Sequence, residues 1–393
     1  MKKFNDIFYD ELFKNVIPFW EKFGYDTKYG GMYTSLDRVG NLYSSDKSVW
    51  MQGRAGYMFA NLYNEYNKDP KFLENSRSCI DFLENHCIDK DGRFYFIVTK
   101  EGKPLRKRRY YFSELFYVIA CAEYYRATNY AKYLEKARDV FYFVYEIYEN
   151  KIEDPYKITP KSYYETRPLK SLSLPMILLN TLQILRLADA KNEKEYTDII
   201  TKLLEEIKTF KKKNSNLLLE TIGVDGTIYE DIASCRVINP GHSIEVSWFL
   251  LDEAEYRKDE SLMEFAKNVF DEAFELGFDK TYGGLVYFKD YLNYPVEAYE
   301  HDMKLWWVHC ETMIASLKLF MTTKNKKYEK IFKDITKYSF EKFSDPQNGE
   351  WFGYLRRDGI PTEPPCKGHL YKGPYHIPRM LVVCQKILEK SNL

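Results

Sequence analysis

Residues 48–105 read SVWMQGRAGYMFANLYNEYNKDPKFLENSRSCIDFLENHCIDKDGRFYFIVTKEGKPL, and this stretch contains the unit that decides the fold. Apolar residues recur at intervals of three and four over 48–66 and again over 71–86, which predicts two consecutive amphipathic helices. A short alternating aromatic run with glycine-containing turns follows at 91–105 and predicts a β-hairpin. The unit is therefore a pair of helices followed by a hairpin.

The same unit recurs along most of the chain. The helical pattern predicts twelve helices, at 4–22, 48–66, 71–86, 113–127, 130–148, 172–188, 195–211, 243–257, 260–276, 305–322, 328–343 and 378–390. Runs that predict hairpins lie at 29–43, 91–105, 217–231, 282–295 and 348–361. Where the hairpins are clearest, they follow helix pairs at a spacing of roughly 60 residues, which indicates an internal repeat.

Twelve helices in pairs predict an all-α fold, an (α/α)6 barrel or toroid with β-hairpins on the connecting loops. Inner and outer helix rings stack in such a barrel, and one face carries the long functional loops. No proline- or serine-rich linker divides the chain, so we expect residues 1–393 to form a single domain.

The composition is that of a folded protein without charge bias. Hydrophobic residues make up 45% of the 393 residues, and 35 Tyr and 26 Phe supply a large core. Lys plus Arg and Asp plus Glu both number 58, which disfavours a nucleic-acid or membrane-surface partner. A basic tract at 100–111 is expected to be a solvated loop, with contact to an anionic effector as the alternative.

The cysteines and the amino terminus indicate the compartment. Seven cysteines include no CxxC pair, and none has the sequence context of a nucleophile. The first residues, MKKFNDIFYDELFKN, are charged and amphipathic rather than typical of a signal peptide, and no apolar run is long enough to span a bilayer. We therefore expect a cytoplasmic protein with free thiols.

Two of the six histidines lie at predicted helix starts. His242 lies in NPGHSIEVSWFLLDEAE (239–255) and His376 in CKGHLYKGPYHIPRML (366–381), and in each segment a nearby proline marks the first turn. The positive field of a helix amino terminus disfavours imidazolium, so both rings are expected to be neutral near pH 7 and to act as bases. Facing one cavity, they could take a proton from one side of a carbon atom and return it on the other. Alone, each could equally be a helix-capping or surface residue.

Three other side chains could complete such a site. Glu245 lies three residues after His242, so its carboxylate is expected on the same helix face, beside the imidazole or a ligand. Trp307 and Glu311 lie four residues apart and should share a face, as a sugar-stacking ring beside a carboxylate would need. Core packing is the alternative for the tryptophan ring.

Arg54 occupies one stripe of a predicted helix. In SVWMQGRAGYMFA (48–60) and the residue that follows, this stripe also contains Trp50, Tyr57 and Asn61. An arginine on the buried side of a helix needs a carboxylate or a polar ligand as its partner.

The remaining histidines and the absence of common motifs reduce the number of reaction types to consider. His309 points to a different helix face from Glu311 and is expected to be a packing residue, and His86, His301 and His369 are expected on the surface or in loops. No HExxH, paired-cysteine or EF-hand spacing is present, so no metal site is expected. No P-loop or GxGxxG supports a redox cofactor or ATPase chemistry.

At these segments the chain resembles the N-acylglucosamine 2-epimerase (renin-binding protein) family. The resemblance runs from about residue 29 onward, and six motifs in order carry it: VWMQGR (49–54), FSELFYVIACAE (112–123), SLSLPMILLN (171–180), NPGHSIEVSWFLL (239–251), KLWWVHCETMIA (304–315) and KGPYHIPRML (372–381). It implies an (α/α)6 barrel, in agreement with the helix pairs, and the interconversion of N-acetylglucosamine and N-acetylmannosamine.

The resemblance also implies roles for single residues. His242 and His376 are similar to the family's catalytic acid/base histidines, and Glu245, Glu311 and Arg54 are similar to its supporting polar residues. One histidine would take the C2 proton of the open-chain sugar, and the other would return a proton to the opposite face. Arg54 would bind a sugar oxygen where negative charge develops.

One departure from related enzymes selects a branch of the family. Cellobiose 2-epimerases and aldose–ketose isomerases resemble each other in having a third histidine in the helix equivalent to 172–183, where this chain has none. That absence favours an N-acyl sugar. The resemblance further implies a homodimer, no cofactor required for the chemistry, and ATP as a possible allosteric activator.

Three alternatives remain open from the sequence. The first is an epimerase or isomerase for an unmodified mono- or disaccharide, such as a mannose isomerase or a cellobiose 2-epimerase. The second is a glycoside hydrolase that uses Glu245 and Glu311 as its two carboxylates, which would leave both histidines without a role. The third is a non-catalytic interaction protein.

Overall fold

The computed structural model describes residues 2–107, 110–154 and 162–391. Its α-helices are α1 (Lys2–Asp10), α2 (Ile17–Phe23), α3 (Val49–Glu65), α4 (Pro70–His86), α5 (Phe112–Thr128), α6 (Ala131–Tyr148), α7 (Ser173–Ala188), α8 (Glu193–Thr209), α9 (Ala233–Arg236), α10 (Pro240–Arg257), α11 (Glu260–Gly277), α12 (Trp306–Thr323), α13 (Lys326–Lys342) and α14 (His376–Lys390). A π-helical turn, Glu11–Val16, joins α1 to α2, so together they form the helix predicted at 4–22. All twelve predicted helices are therefore present, and α9 is an additional single turn.

Six helices form an inner ring that an outer layer surrounds. The helices α3, α5, α7, α10, α12 and α14 pack side by side in that order, and α14 returns to α3 to close the ring. Each inner helix from α3 to α12 packs against the long helix that follows it, α4, α6, α8, α11 or α13, and α1 covers α14. The fold is the predicted all-α (α/α)6 barrel.

The difference between the two rings follows from their sequences. Inner helix α12 has buried side chains on all of its faces, from Trp306 to Phe320, whereas outer helix α13 buries a single stripe that includes Tyr328, Ile331, Phe332 and Ile335. A helix that is apolar all round is stable only when it is enclosed, and an amphipathic helix covers it with one face. None of the described helices is long and apolar enough to cross a membrane.

Short antiparallel sheets tie the connections together at one end of the barrel. The strands are β1 (Lys47–Ser48), β2 (Ile97–Val98), β3 (Pro104–Arg106), β4 (Leu169–Ser171), β5 (Thr221–Gly223), β6 (Val237–Ile238), β7 (Lys289–Asp290), β8 (Lys304–Leu305) and β9 (Tyr354–Leu355). They pair as β1–β2–β3, β4–β5, β6–β7 and β8–β9. Because β1, β4, β6 and β8 lie just before α3, α7, α10 and α12, the sheets mark the amino-terminal ends of inner helices.

The prediction of five local hairpins was wrong in its pairing. Within the described residues, only the run at 91–105 contributes two strands of one hairpin, β2 and β3. The runs at 217–231, 282–295 and 348–361 each supply one strand, which pairs with the strand that precedes an inner helix. The run at 29–43 makes only isolated bridges. These runs all reach the same end of the barrel, where a neighbouring connection offers a free strand edge.

Buried lysines form ion pairs that stabilise these connecting loops. Lys47 in β1 lies 2.7 Å from Asp26, and Lys304 in β8 lies 2.9 Å from Asp279, with both lysine side chains fully buried. A buried ion pair that loses one partner costs about 3–5 kcal/mol, so each pair holds its loop firmly at the start of an inner helix. In the basic tract, residues 103–107 are exposed as predicted, while positions 108 and 109 lie outside the described residues.

Candidate active site

Four of the predicted site residues lie close to the amino-terminal ends of inner helices. His376 is the first residue of α14, Trp307 the second residue of α12, and His242 the third residue of α10, while Arg54 lies in the second turn of α3. The inner ring brings these ends together at the face where the short sheets lie. Residues distant in sequence therefore meet in one site.

Trp307 lies between the two histidines. The centroid of its ring is 5.2 Å from that of His242 and 5.8 Å from that of His376, with interplanar angles of 38° and 40°. The indole is 8% exposed. Gly241 permits this approach, because a Cβ atom there would lie 2.6 Å from the Trp307 ring. The predicted sugar-stacking ring is thus beside both candidate proton-transfer groups.

His242 is held by its own helix start and by a distant carboxylate. The side chain of Asn239 accepts a hydrogen bond from the His242 backbone at 3.2 Å, and the imidazole Nδ1 lies 2.9 Å from Oε2 of Glu220. Burial disfavours the imidazolium, but the charge and hydrogen bond of Glu220 outweigh it and raise the pKa of His242 above its ordinary value. The pKa of this ring is therefore shifted in the direction opposite to the one expected from its helix start.

His376 has the opposite electrostatic environment. Its Nδ1 lies 2.8 Å from Oε1 of Glu311, and the side chain is almost fully buried. Burial, together with the positive charges of Arg54 and Arg379, holds the pKa of His376 well below its ordinary value. The neutral ring expected from the sequence is correct for His376, although desolvation and two guanidinium groups are the cause.

A guanidinium group joins the two glutamates of the site. Arg379, one turn after His376 on α14, donates from Nη2 to Oε1 of Glu245 at 2.6 Å and to Oε1 of Glu311 at 2.7 Å. The indole of Trp248 donates to the other oxygen of Glu311 at 2.8 Å. Glu311 thus accepts three hydrogen bonds in a fully buried position. Glu245 shares the site with His242, but its hydrogen-bond partner is Arg379 rather than that imidazole.

Arg54 has aromatic neighbours instead of a carboxylate. Its guanidinium lies 4.3 Å from the centroid of the Phe116 ring and 4.8 Å from that of Tyr375. Burial lowers the pKa of Arg54 to about 10, so the group is still a cation at neutral pH. Its buried Nε has no hydrogen-bond partner among the described residues. No carboxylate accepts a hydrogen bond from Arg54 within the described residues, so of its two expected partners a polar ligand remains.

The other histidines have separate environments. His309 is a packing residue, as predicted: it is fully buried, its Nε2 accepts from the Leu285 backbone at 3.1 Å, and burial lowers its pKa to about 3. His86 ends α4 and His301 lies in a loop, both partly exposed. His369 also lies in a loop, as predicted, and its partly exposed ring packs edge to face on Trp306.

The sequence pattern did not identify Arg379, Glu220 and Trp248 as members of the site. A signal for Arg379 exists, since it lies three residues after His376 and the two must share a helix face. Trp248 lies six residues after His242, which gives no face relationship. Glu220 precedes α10 in an irregular connection, and no local pattern marks it as a partner of His242.

The cluster is suited to a guanidinium rather than a metal ion. One ligand atom from each of Glu245, Glu311 and His376 lies within 4.8 Å of the others, a spacing that a metal site would use. Arg379 already donates to both carboxylates, however, and supplies the positive charge that an ion would bring. The donor set therefore does not fit a metal site.

Comparisons with known proteins show the family of the chain. Residues 31–377 match the sequence profile of the N-acylglucosamine 2-epimerase (GlcNAc 2-epimerase) family. The chain is 33% identical over 383 residues to the N-acylglucosamine 2-epimerase of Bos taurus, with 95% of this chain and 88% of that protein covered. It is 26% identical over 413 residues to the cellobiose 2-epimerase of Dictyoglomus turgidum, with 97% of each covered.

A solved structure shares the barrel. The cellobiose 2-epimerase from Bacillus thermoamylovorans B4167 matches with a TM-score of 0.85 at 21% identity, covering 98% of this chain and 100% of that one. At this identity the match establishes the common fold.

Proposed function

The chain belongs to the N-acylglucosamine 2-epimerase family and is a sugar 2-epimerase, an isomerase, and from that premise we propose that it interconverts N-acetylglucosamine and N-acetylmannosamine. The identity of 33% to a curated N-acylglucosamine 2-epimerase supports this substrate. The start of helix α7 also supports this substrate, because residues 173–180, SLPMILLN, contain no histidine.

The observation that carries the mechanism is the pair of carboxylate-backed histidines beside one indole. In each ring Nδ1 is bound to a glutamate, which leaves Nε2 as the atom directed to a substrate. Neither Nε2 has a hydrogen-bond partner among the described residues. The pKa of His242 is raised and that of His376 is lowered, and two groups separated in this way are suited to act as acid and base.

Proton transfer at C2 then follows in two steps. Nε2 of neutral His376 takes the C2 proton of the open-chain aldehyde, and the electron pair of that C–H bond forms the C1–C2 double bond of an enediol-like intermediate with its charge on the C1 oxygen. Nε2–H of protonated His242 then returns a proton to C2 from the opposite face, and the carbonyl forms again. The reverse reaction begins with His242 neutral and His376 protonated.

Arg54 stabilises the intermediate in this proposal. A cation with unsatisfied donors in a buried site is suited to the oxygen on which negative charge develops. Glu245 and Glu311 hold Arg379 and His376 in place, and Oε2 of Glu245, which has no hydrogen-bond partner among the described residues, can accept from a sugar hydroxyl. Trp307 supplies the ring on which the sugar stacks.

Two rival functions have less support. An unmodified mono- or disaccharide remains the substrate of other family branches, but those branches are expected to have a histidine in α7. Glycoside hydrolysis needs two carboxylates on either side of a scissile bond. Glu245 and Glu311 are instead joined by Arg379, which occupies the space between them.

The remaining expectations become part of the proposal. We propose that residues 1–393 act as one domain, that the enzyme is a homodimer in the cytoplasm, and that ATP serves as an allosteric activator without any cofactor being required for the chemistry. Seven unpaired cysteines support a reducing compartment. Balanced charge supports the absence of nucleic-acid and membrane partners.

Incubation of the protein with N-acetylmannosamine in D2O, followed by NMR, tests the proposal. We expect deuterium at C2 together with the appearance of N-acetylglucosamine. Parallel incubations with mannose and cellobiose measure the rival substrates. Absence of C2 exchange from the N-acyl sugar, with and without ATP, rules out the proposed reaction, and faster exchange from mannose or cellobiose assigns the enzyme to another branch.

A further inference from the structure

Two buried N–H groups near His376 have no role in the mechanism above. Nε2 of His369 and Nε1 of Trp306 are both shielded from solvent, and neither has a hydrogen-bond partner among the described residues. A buried donor without a partner costs about 1–3 kcal/mol, so such groups in a site are suited to a ligand.

The proton of His369 can be placed from its hydrogen bonds. The backbone N–H of Tyr371 donates to Nδ1 of His369 at 3.0 Å, so Nδ1 carries a lone pair. Burial and the positive charge of Lys372 lower the pKa of His369 to about 4, and the ring is neutral at pH 7. The single ring proton of a neutral imidazole must then lie on Nε2. His369 therefore presents an uncharged donor.

Trp306 connects this donor to the catalytic histidine. The centroid of the Trp306 ring is 6.0 Å from that of His369 and 6.4 Å from that of His376, and both imidazoles meet the indole edge to face. The indole is 2% exposed. Trp306 thus contacts both imidazoles, and His369 neighbours the group that takes the C2 proton through this one intervening ring.

The loop that carries His369 is fixed in place. His369 and Lys372 exchange backbone hydrogen bonds at 3.1 and 3.2 Å, and the hydroxyl of Thr34 donates to the carbonyl of His369 at 3.0 Å. The His369 ring also stacks on Tyr354 with centroids 5.1 Å apart. The donor is therefore held in position before any ligand arrives.

The chemistry of these groups differs from that of the charged half of the site. Arg54 offers a charged donor for the oxygen that becomes anionic. Trp306 and His369 offer uncharged donors beside aromatic surfaces, which suit a neutral carbonyl oxygen with a methyl group next to it. An N-acyl substituent on C2 has these two features.

We infer that His369 and Trp306 form the subsite for the acyl group of the substrate, with their N–H groups donating to the acyl oxygen. This inference rests on the proposed function and names the residues that select an N-acyl sugar over an unmodified one. The Tyr354 and Trp306 rings supply apolar surface for the acyl methyl group.

Two open-chain probes that differ only at C2 test the subsite. Calorimetric titration with N-acetylglucosaminitol and with glucitol measures binding to the 393-residue chain without any need for turnover. In Trp306→Phe, which removes the N–H and keeps an aromatic ring, and in His369→Phe, we expect binding of the acylated alditol to weaken about tenfold with glucitol unaffected. His369→Gln retains a donor and should restore part of the loss. Circular dichroism confirms that each variant is folded.

The outcomes separate this inference from the proposed function. Unchanged binding of the acylated alditol in both variants overturns the subsite, and equal weakening of both alditols assigns the donors to a shared hydroxyl instead. A wild-type protein that binds neither probe also overturns it. Selective binding of the acylated alditol by a wild type that gives no C2 exchange retains the subsite and rejects only the proposed reaction.

Discussion

The imidazole of His376 and the carboxylate of Glu311 are joined across two inner helices, with Nδ1 2.8 Å from Oε1. This contact fixes which ring nitrogen faces the substrate, because Nδ1 is bound to the carboxylate. Glu311 is also neutralised by Arg379, so it orients the imidazole without making it a cation. A base that is both oriented and neutral is what C2 deprotonation needs.

The two histidines should be separable by isotope exchange. In His242→Asn, we expect loss of epimerisation by about 10²–10⁴-fold. His376 can still remove and return the C2 proton on its own face, so one epimer should continue to exchange deuterium without inversion. His376→Asn should leave exchange in the other epimer. NMR in D2O, started separately from each epimer, makes the measurement, and exchange of the same epimer by both variants contradicts the two-base arrangement.

Activity should depend on pH through both histidines. The base must be deprotonated, and the pKa of His376 is lowered, so the acid limb should lie well below pH 6.5. The acid must be protonated, and the pKa of His242 is raised, so the alkaline limb should lie above pH 6.5. In Glu220→Gln, the alkaline limb should move to lower pH, because the carboxylate that favours the imidazolium is removed and burial remains. An alkaline limb that does not move in the kcat/KM profile contradicts this assignment.

Arg379 should be required for stability and for activity. Arg379→Met leaves two buried carboxylates without their cation and should lower the free energy of unfolding by about 3–5 kcal/mol. Arg186→Met is the matched control, since Arg186 makes a buried bidentate ion pair with Glu253 at 3.0 and 2.7 Å away from the candidate site. Urea unfolding should show similar destabilisation in both variants. Turnover, measured as kcat, should be lost only in Arg379→Met. Equal kcat values in the two variants would make Arg379 purely structural.

Arg54 should be required for activity but contribute little to stability. It makes no hydrogen bond to the described protein, so Arg54→Met should change the free energy of unfolding by only about 1 kcal/mol, the scale of its cation–π contacts. The donor expected at the C1 oxygen is lost, so kcat/KM should fall about 10²–10³-fold. Thermal unfolding and steady-state kinetics on the same preparation measure both effects. An active variant would remove Arg54 from the mechanism.

Gly241 should be needed for the position of Trp307. In Gly241→Ala the added methyl would lie 2.6 Å from the indole and must displace it, at a cost of about 1–3 kcal/mol and a fall in kcat. Gly56→Ala on α3 is the control, because its methyl meets its nearest neighbour, Ala120, at 3.2 Å and lies away from the indole. Comparison of melting temperature and kcat distinguishes the two, and unchanged kinetics in Gly241→Ala contradicts the packing argument.

The sequence predicted the local features of the site but not the contacts between residues that are distant in sequence. His376 and Trp307 could be found because helix starts and helix faces depend on residues a few positions apart. The raised pKa of His242 could not be predicted, because its partner Glu220 is 22 residues away in an irregular connection. Glu245 was found, but for the same reason the sequence did not identify Arg379 as its partner.

The sequence by itself determined the barrel, its helices, and the placement of two histidines at helix starts. Periodicity and turn chemistry are local properties, and twelve consecutive amphipathic or apolar segments have few other ways to bury their surfaces. Only the tertiary structure decided the directions in which the two histidine pKa values are shifted, since these depend on Glu220 for one ring and on burial with two guanidinium groups for the other. It also decided that Arg379 joins two glutamates, one of them 134 positions away, because a closed ring brings together residues that no local pattern relates.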